Sequence, residues 1–207
     1  MCTTYKRLFA KGYKRAENLE HRIYHPYKEK LLTNLSGNIL EIGPGVGNNL
    51  QYFSKGSKWI GVEPNLAMHP YLREKLTSMA LNGSLYAHHA EELKEIPNHS
   101  QDYVISTLVL CSVNNLQKAL SEIFRVLKLG GKLLFLEHVA DEENLLRATV
   151  QTGVKPVWKI IGDGCHPDRR TGSYIQKTPF SDTHIEKLSI GSRISPVRPH
   201  IMGWAQK

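Results

Sequence analysis

Two apolar runs, one ending in a glycine turn and the next in a carboxylate, constrain this chain more than any other feature. Residues 39–50 read Ile-Leu-Glu-Ile-Gly-Pro-Gly-Val-Gly-Asn-Asn-Leu, and residues 59–65 read Trp-Ile-Gly-Val-Glu-Pro-Asn. The pattern predicts a strand, a glycine turn, a helix and a second strand. Ile39, Leu40 and Ile42 supply the first strand, with Glu41 just before the turn. Gly43, Gly45 and Gly47 lack the Cβ atoms that would block a tight turn and close backbone approach to a ligand. Gln51, Tyr52 and Phe53 are expected in the helix, whose amide-rich start faces the turn. Glu63 follows Glu41 by 22 positions and sits at the end of the second strand. A carboxylate about 20 residues beyond a glycine turn is placed to hold the hydroxyls of a ribose. The chain is therefore expected to bind a nucleoside-bearing ligand.

Two such ligands compete. A dinucleotide turn is spaced G-x-G-x-x-G and seats a pyrophosphate on the helix start. Here the spacing is G-x-G-x-G, with Glu41 two positions before the first glycine. A carboxylate there would repel a pyrophosphate and suit an α-ammonium group. A ligand with an amino-acid end and a ribose end, such as S-adenosylmethionine, fits better. The glycine turn alone would be weak evidence; the two carboxylates give it weight.

With these residues in view, the chain resembles the class I S-adenosylmethionine-dependent methyltransferases from about Leu35 to Lys207. Glu41 to Gly47 is similar to the family's first motif and Gly61-Val-Glu-Pro-Asn65 to its second. Ala90-Glu-Glu-Leu93 resembles the loop that lines the adenine. Asp102 to Val113 is similar to the fourth strand and its exit, and Arg125 to Val139 to the following helix, Gly-Gly turn and fifth strand. Thr107 to Val113, Glu137-His-Val139, Asp163-Gly-Cys165 and Arg198 to Ala205 resemble more closely the methyltransferase-like 7 group, which implies methylation of small thiols. The chain departs from that group in carrying a basic, polar amino-terminal segment where the group has a hydrophobic anchor, which leaves membrane placement open.

The resemblance implies a Rossmann-like, doubly wound, seven-stranded and mostly parallel α/β sheet with an antiparallel C-terminal edge strand. Residues 1–34 are expected to form a basic helical lid over a methyltransferase domain of residues 35–207. Strands alternating with helices independently imply a doubly wound parallel sheet. Residues 5–34 are expected to be helical, with Pro26 ending one helix or opening the next. Leu66 to Ala80 reads as a helix interrupted by Pro70, and Leu85 to His88 as the third strand. Tyr103 to Leu110 is apolar enough for a strand buried on both faces. Leu116, Leu120, Ile123, Phe124 and Leu127 recur at helical spacing, and Gly130-Gly131 is expected to end that helix. Leu133 to Leu136 reads as the fifth strand, residues 141–161 as a helix with a kink or restart at Pro156. Ile185 to Ile190 and His200 to Ala205 are the late strands. A dehydrogenase would also need a catalytic domain, for which little of the chain is expected to remain.

A net charge of +8 raises the question of partners. Residues 1–30 hold eight Lys and Arg against three Glu. Such a segment could attract nucleic acid or an anionic membrane surface. A solvated helix face is the plainer reading, because no base-stacking platform or recognition motif accompanies the charge. An Asn-Pro-Pro-Tyr motif is also missing after the fourth strand, where Thr107-Leu-Val-Leu stands. The expected partner is a small-molecule methyl acceptor. No apolar run approaches the ~20 residues that span a bilayer, and no signal region is evident, so a cytoplasmic protein is expected. Cys2, Cys111 and Cys165 are too widely spaced for a metal-binding pair or a disulfide framework. Reduced thiols are expected, and no metal site.

In open α/β sheets the ligand lies at the carboxyl ends of the strands. Glu41 is expected to orient the methionine ammonium, directly or through water, and Glu63 to take the ribose hydroxyls. Ala90 and Glu91 would border the adenine, with Pro64 and Asn65 at the adenosine edge and Thr107 and Leu108 at the methionine portion. Methyl transfer is an in-line displacement on an already activated donor, so the protein mainly supplies alignment. His138, just past the fifth strand, is the best candidate for a general base where the acceptor arrives protonated. Asp163 and His166 could line the acceptor pocket. Transfer to oxygen, nitrogen or carbon in a biosynthetic pathway, and cofactor binding without catalysis, are the alternative functions.

Overall fold

The computed structural model describes residues 3–207; Met1 and Cys2, and with them the expectation for the Cys2 thiol, lie outside the described residues. A helix, α1 (Thr3–Leu32), precedes β1 (Asn38–Ile42), β2 (Lys58–Val62), α2 (His69–Ser78), β3 (Gly83–Tyr86) and β4 (Gln101–Thr107). There follow α3 (Leu116–Val126), β5 (Leu127–His138), α4 (Leu145–Ile161), α5 (Thr171–Lys177), β6 (Asp182–Ser189) and β7 (Pro199–Gln206).

The seven strands form one sheet in the order β3-β2-β1-β4-β5-β7-β6. Strands β1 to β5 pair in parallel, while β7 runs antiparallel to both β5 and β6. The C-terminal strand is antiparallel as expected, but β6 is the outer edge and β7 lies one place inside it. The chain winds outward from β1 to β3 and then crosses back to β4. The carboxyl ends of β1 and β4 are therefore the switch point, where open sheets bind ligands. Ile42 pairs with both Val62 and Ser106, so the glycine turn and the exits of β2 and β4 end level.

Alternate residues of the central strands feed two cores. Leu40, Val104, Leu133 and Phe135 pack with Leu120 and Ile123 of α3 on one face. Ile39, Ile105 and Leu134 pack with Trp59 and Leu72 on the other. A sheet covered on both faces accounts for the nearly continuous apolar runs. Leu40 is fully buried, so truncating it to Ala is expected to cost about 2–5 kcal/mol.

Several sequence expectations are corrected. The helix after the glycine turn is only a 3₁₀ turn over Leu50–Tyr52, because Phe53 is already extended and bridges to Leu35. Pro26 neither ends nor opens a helix: α1 runs straight through it. Contacts on either side hold that turn, notably Tyr24 with His200 and Lys28 with Glu20. Pro70 does not interrupt α2 but opens it, where its missing N–H costs nothing. Pro156 does not restart a helix, since a single α4 runs through it. Gly130-Gly131 does not end α3, since β5 begins directly at Leu127. The glycines instead form a bulge between the Leu127–Gln101 and Lys132–Tyr103 pairs, where Gly130, at φ +77°, donates to the Lys207 carbonyl. Strand β4 stops at Thr107, three residues short of the apolar run.

Candidate active site

A cleft of about 490 Å³ opens at the switch point. Its floor is the glycine turn. Gly43 and Gly45 both adopt positive φ, at 60° and 57°. A Cβ on Gly43 would sit 2.6 Å from Val109, and one on Gly45 would meet the Tyr13 ring at 3.4 Å. These two glycines line the cleft. Gly47 does not: its missing Cβ makes room for Leu72 and Leu50, so its role is packing.

Glu63 lines the cleft at the end of β2. One carboxylate oxygen accepts the Gly45 N–H at 3.0 Å and the other the Asn65 N–H at 2.8 Å. Burial raises this carboxyl to about 7, with the two N–H groups pulling the other way. Each oxygen keeps a lone pair for a hydroxyl donor. Pro64 follows on the wall, but the Asn65 side chain turns away, donating to the Lys6 carbonyl and accepting from Ala67.

Glu41 stays beneath the turn. Its oxygens accept from the Asn49 amide at 2.8 Å and the Trp59 indole at 2.9 Å. Burial holds its carboxyl above the usual carboxylate range. The same Asn49 nitrogen donates to Thr107, which does line the cleft, at 2.8 Å. Glu41 thus reaches the ligand space through Asn49 and Thr107.

Ala90 and Glu91 form the opposite wall. Glu91 is buried; one oxygen accepts the Asn115 N–H at 3.0 Å, and the other has no partner. A buried acceptor without a donor is costly unless a ligand supplies one.

Leu108 leaves β4 at φ +61°, a conformation that a leucine adopts only when its surroundings impose it. Glu137 is what imposes it. This fully buried carboxylate on β5 accepts from the Ser106 hydroxyl at 2.6 Å and from the Val109 and Leu110 N–H groups at 3.1 Å each. Sequence reasoning gave Glu137 no role; a lone carboxylate at the end of an otherwise apolar strand was the available signal.

Helix α1 crosses the cleft. Lys6, Phe9 and Tyr13 line it, and Lys6 pairs with Asp163 at 2.8 Å on the loop after α4. Glu20 ties α1 down by accepting from the Asn48 amide at 2.9 Å. His166 lies outside the cleft, and burial lowers its imidazole to about 4.

His138 does not line the cleft either. It is buried, its Nε2 lies 2.8 Å from the Cys165 sulfur, and its Nδ1 has no partner. A base role for it would have to run through Cys165. The cysteines, far apart in sequence, are not apart in space: Cys111, His138 and Cys165 bring their donor atoms within 4.8 Å of one another.

Residues 40–135 match the family model described as a methyltransferase domain. The thiol S-methyltransferase TMT1B of Rattus norvegicus is 37% identical to the chain, the match covering 100% of this chain and 88% of that protein. The human thiol S-methyltransferase TMT1A is 32% identical over 87% of this chain and 78% of its own length. Among solved structures, a methyltransferase of Thermotoga maritima, described as a possible histamine N-methyltransferase, superposes with a TM-score of 0.68 at 21% identity, covering 99% of this chain and 98% of that one. At such identity the likeness speaks for the fold alone.

Proposed function

The chain belongs to the class I S-adenosylmethionine-dependent methyltransferases, near the thiol S-methyltransferases, and from that premise we propose that it methylates the sulfur of a small thiol. S-adenosylmethionine supplies a methyl group already activated by its sulfonium charge. Glu63 takes the ribose hydroxyls, and the unpartnered oxygen of Glu91 takes the adenine amine. Gly43 and Gly45 let the backbone approach the methionine portion, which Thr107 and Leu108 border. Glu41 holds the turn through Asn49. The residues fit the cofactor because the cleft offers a ribose acceptor, an amine acceptor and a turn without Cβ atoms.

The observation that carries the thiol reading is the shortage of a free base. The titratable groups lining the cleft are Lys6, Tyr13, Glu63, His89, Glu91 and Asp163. Glu63 and Glu91 serve the cofactor, and Lys6 and Asp163 neutralise each other. Burial pushes the Tyr13 hydroxyl well up, so it keeps its proton. A thiol of pKa about 8.5 ionises in part without help. An alcohol or phenol would need a base, which among the described residues lining the cleft only His89 remains to provide.

Helix α1 acts as a lid over the bound cofactor, as its three cleft-lining side chains support. No helix among the described residues is long and apolar enough to cross a membrane. Cys111 and Cys165 are unpaired, which suits a reducing compartment such as the cytoplasm. Arg7, Lys11, Arg15 and Arg22 are exposed on α1 and suit weak contact with an anionic surface.

The test is transfer of labelled methyl from S-adenosylmethionine to a panel of small thiols, phenols and amines. Label in thiols alone is expected. Label in phenols or amines, with thiols untouched, would reject the thiol and point to His89 as a base.

A further inference from the structure

Three soft or borderline donors converge behind the cleft. Cys111 ends the loop that Glu137 organises, His138 is the last residue of β5, and Cys165 lies in the loop between α4 and α5. All three are buried, at 1%, 6% and 5% exposure. Among the described residues, no carboxylate or backbone group claims any of the donor atoms. The Cys165 sulfur and His138 Nε2 face each other at 2.8 Å, the Cys111 sulfur meets the Ser112 hydroxyl at 3.6 Å, and His138 Nδ1 has no partner.

We infer that Cys111, His138 and Cys165 form a binding site for a zinc ion. Two thiolates and one imidazole are a donor set that zinc takes with a fourth position left to an exogenous ligand such as water. Tetrahedral zinc, with Zn–S about 2.3 Å and Zn–N about 2.0 Å, spaces its donors by roughly 3.5–3.8 Å. The three donor atoms already lie within 4.8 Å of one another. The His138–Cys165 contact has to open by roughly 0.8 Å to reach that spacing, which side-chain rotation provides.

The charge balance favours the ion. Zinc displaces one proton from each thiol, and the product is a neutral unit of a divalent cation, two thiolates and a neutral imidazole. A neutral cluster avoids the penalty of a buried net charge. The neighbouring groups do not compete for it. Glu137 is committed to Ser106 and backbone N–H groups, and the Arg169 guanidinium donates to the Leu110 and Val113 carbonyls. His200 presents its ring edge-on to His138 at 6.2 Å and bonds to Tyr24 and the Arg198 carbonyl. Ser112 and Gly164, next in chain to two of the ligands, line the cleft. The ion therefore fastens both loops of the cleft wall to β5. This inference stands apart from the thiol reading, because it uses no cleft-lining side chain.

The test uses the full chain, without a histidine tag, expressed with added zinc and purified under reducing conditions. Metal analysis should find about one zinc per chain. Replacement by cobalt should give a thiolate-to-cobalt charge-transfer band in the near ultraviolet. Cys111→Ser and Cys165→Ser should each lose the band and hold less than about a tenth of an equivalent of zinc. The wild-type cobalt spectrum decides the matter even where a variant fails to fold. Wild-type chain without zinc and without the cobalt band, its three thiols titrating freely once unfolded, would overturn the inference. A Cys111–Cys165 disulfide found by mass after purification without reductant, with no metal taken up on reduction, would overturn it as well.

Discussion

Glu63 accepts the backbone N–H of Gly45 at 3.0 Å, so the end of β2 and the glycine turn after β1 are one unit. The carboxylate fixes the turn and, from the same position, faces the cleft. A residue that both shapes the site and binds within it should show both effects when altered.

Glu63 gives the account its pH dependence. Its folded carboxyl titrates at about 7, above the roughly 4.3 of an unfolded chain. The folded, ligand-free chain therefore binds the extra proton between those values, and its stability falls as pH rises through that window. In the proposed binding mode the cofactor needs the carboxylate, so its affinity moves the opposite way. Affinity for S-adenosylhomocysteine, measured by calorimetry, should rise about tenfold from pH 6 to pH 8. Glu63→Gln should bind more weakly and lose the slope. A flat profile in the wild type would remove Glu63 from the ribose.

The partnerless oxygen of Glu91 makes a chemical prediction. Glu91→Gln should weaken S-adenosylhomocysteine binding by about 1.5–3 kcal/mol, the worth of a hydrogen bond to a charged group. An analogue whose adenine amine is replaced by a carbonyl should bind the wild type poorly and the variant comparatively well. Equal discrimination by the two proteins would place the adenine elsewhere.

In Glu137→Gln an amide N–H₂ replaces one of the two oxygens that now accept the Val109, Leu110 and Cys111 N–H groups, so at least one of these donors faces another donor. The loop holding Leu108 at φ +61° loses its anchor. Urea denaturation should show a loss of about 3 kcal/mol, the scale for breaking a buried charged network. An unchanged midpoint would mean that the loop holds its shape unaided.

Much of this architecture was legible in the sequence because local signals matched tertiary demands. The glycine turn, the apolar strands and Glu63 lie within one strand-turn-strand unit, where spacing in sequence is spacing in space. The errors came where packing overrode a local rule. Pro26 read as a break, yet α1 continues through it; Pro156 read as a kink or a restart, and α4 does not restart there. Gly130-Gly131 read as a helix stop, yet serves a bulge. His138 read as a cleft residue because it ends β5, but its ring turns toward Cys165. The link between Cys111, His138 and Cys165 was invisible, because only the crossover of the sheet brings three distant segments together.

The Lys6–Asp163 pair is partly exposed, with side chains 29% and 14% accessible. Such a pair contributes little to global stability, on the order of 0–1 kcal/mol. Its effect should appear in kinetics. Lys6→Ala should speed release of S-adenosylhomocysteine several-fold while shifting the melting temperature little. Unchanged release in stopped-flow measurements would mean that α1 does not gate the cleft.

The central claim is that the acceptor is a thiol that ionises without a dedicated base. Single-turnover methyl transfer, measured against pH for two thiols of different acidity, tests it most directly. Each profile should rise with the thiolate fraction of its own acceptor, so the two midpoints should differ as the acceptors' pKa values differ. A shared midpoint, independent of the thiol, would show that a group of the protein controls the proton and would contradict the account.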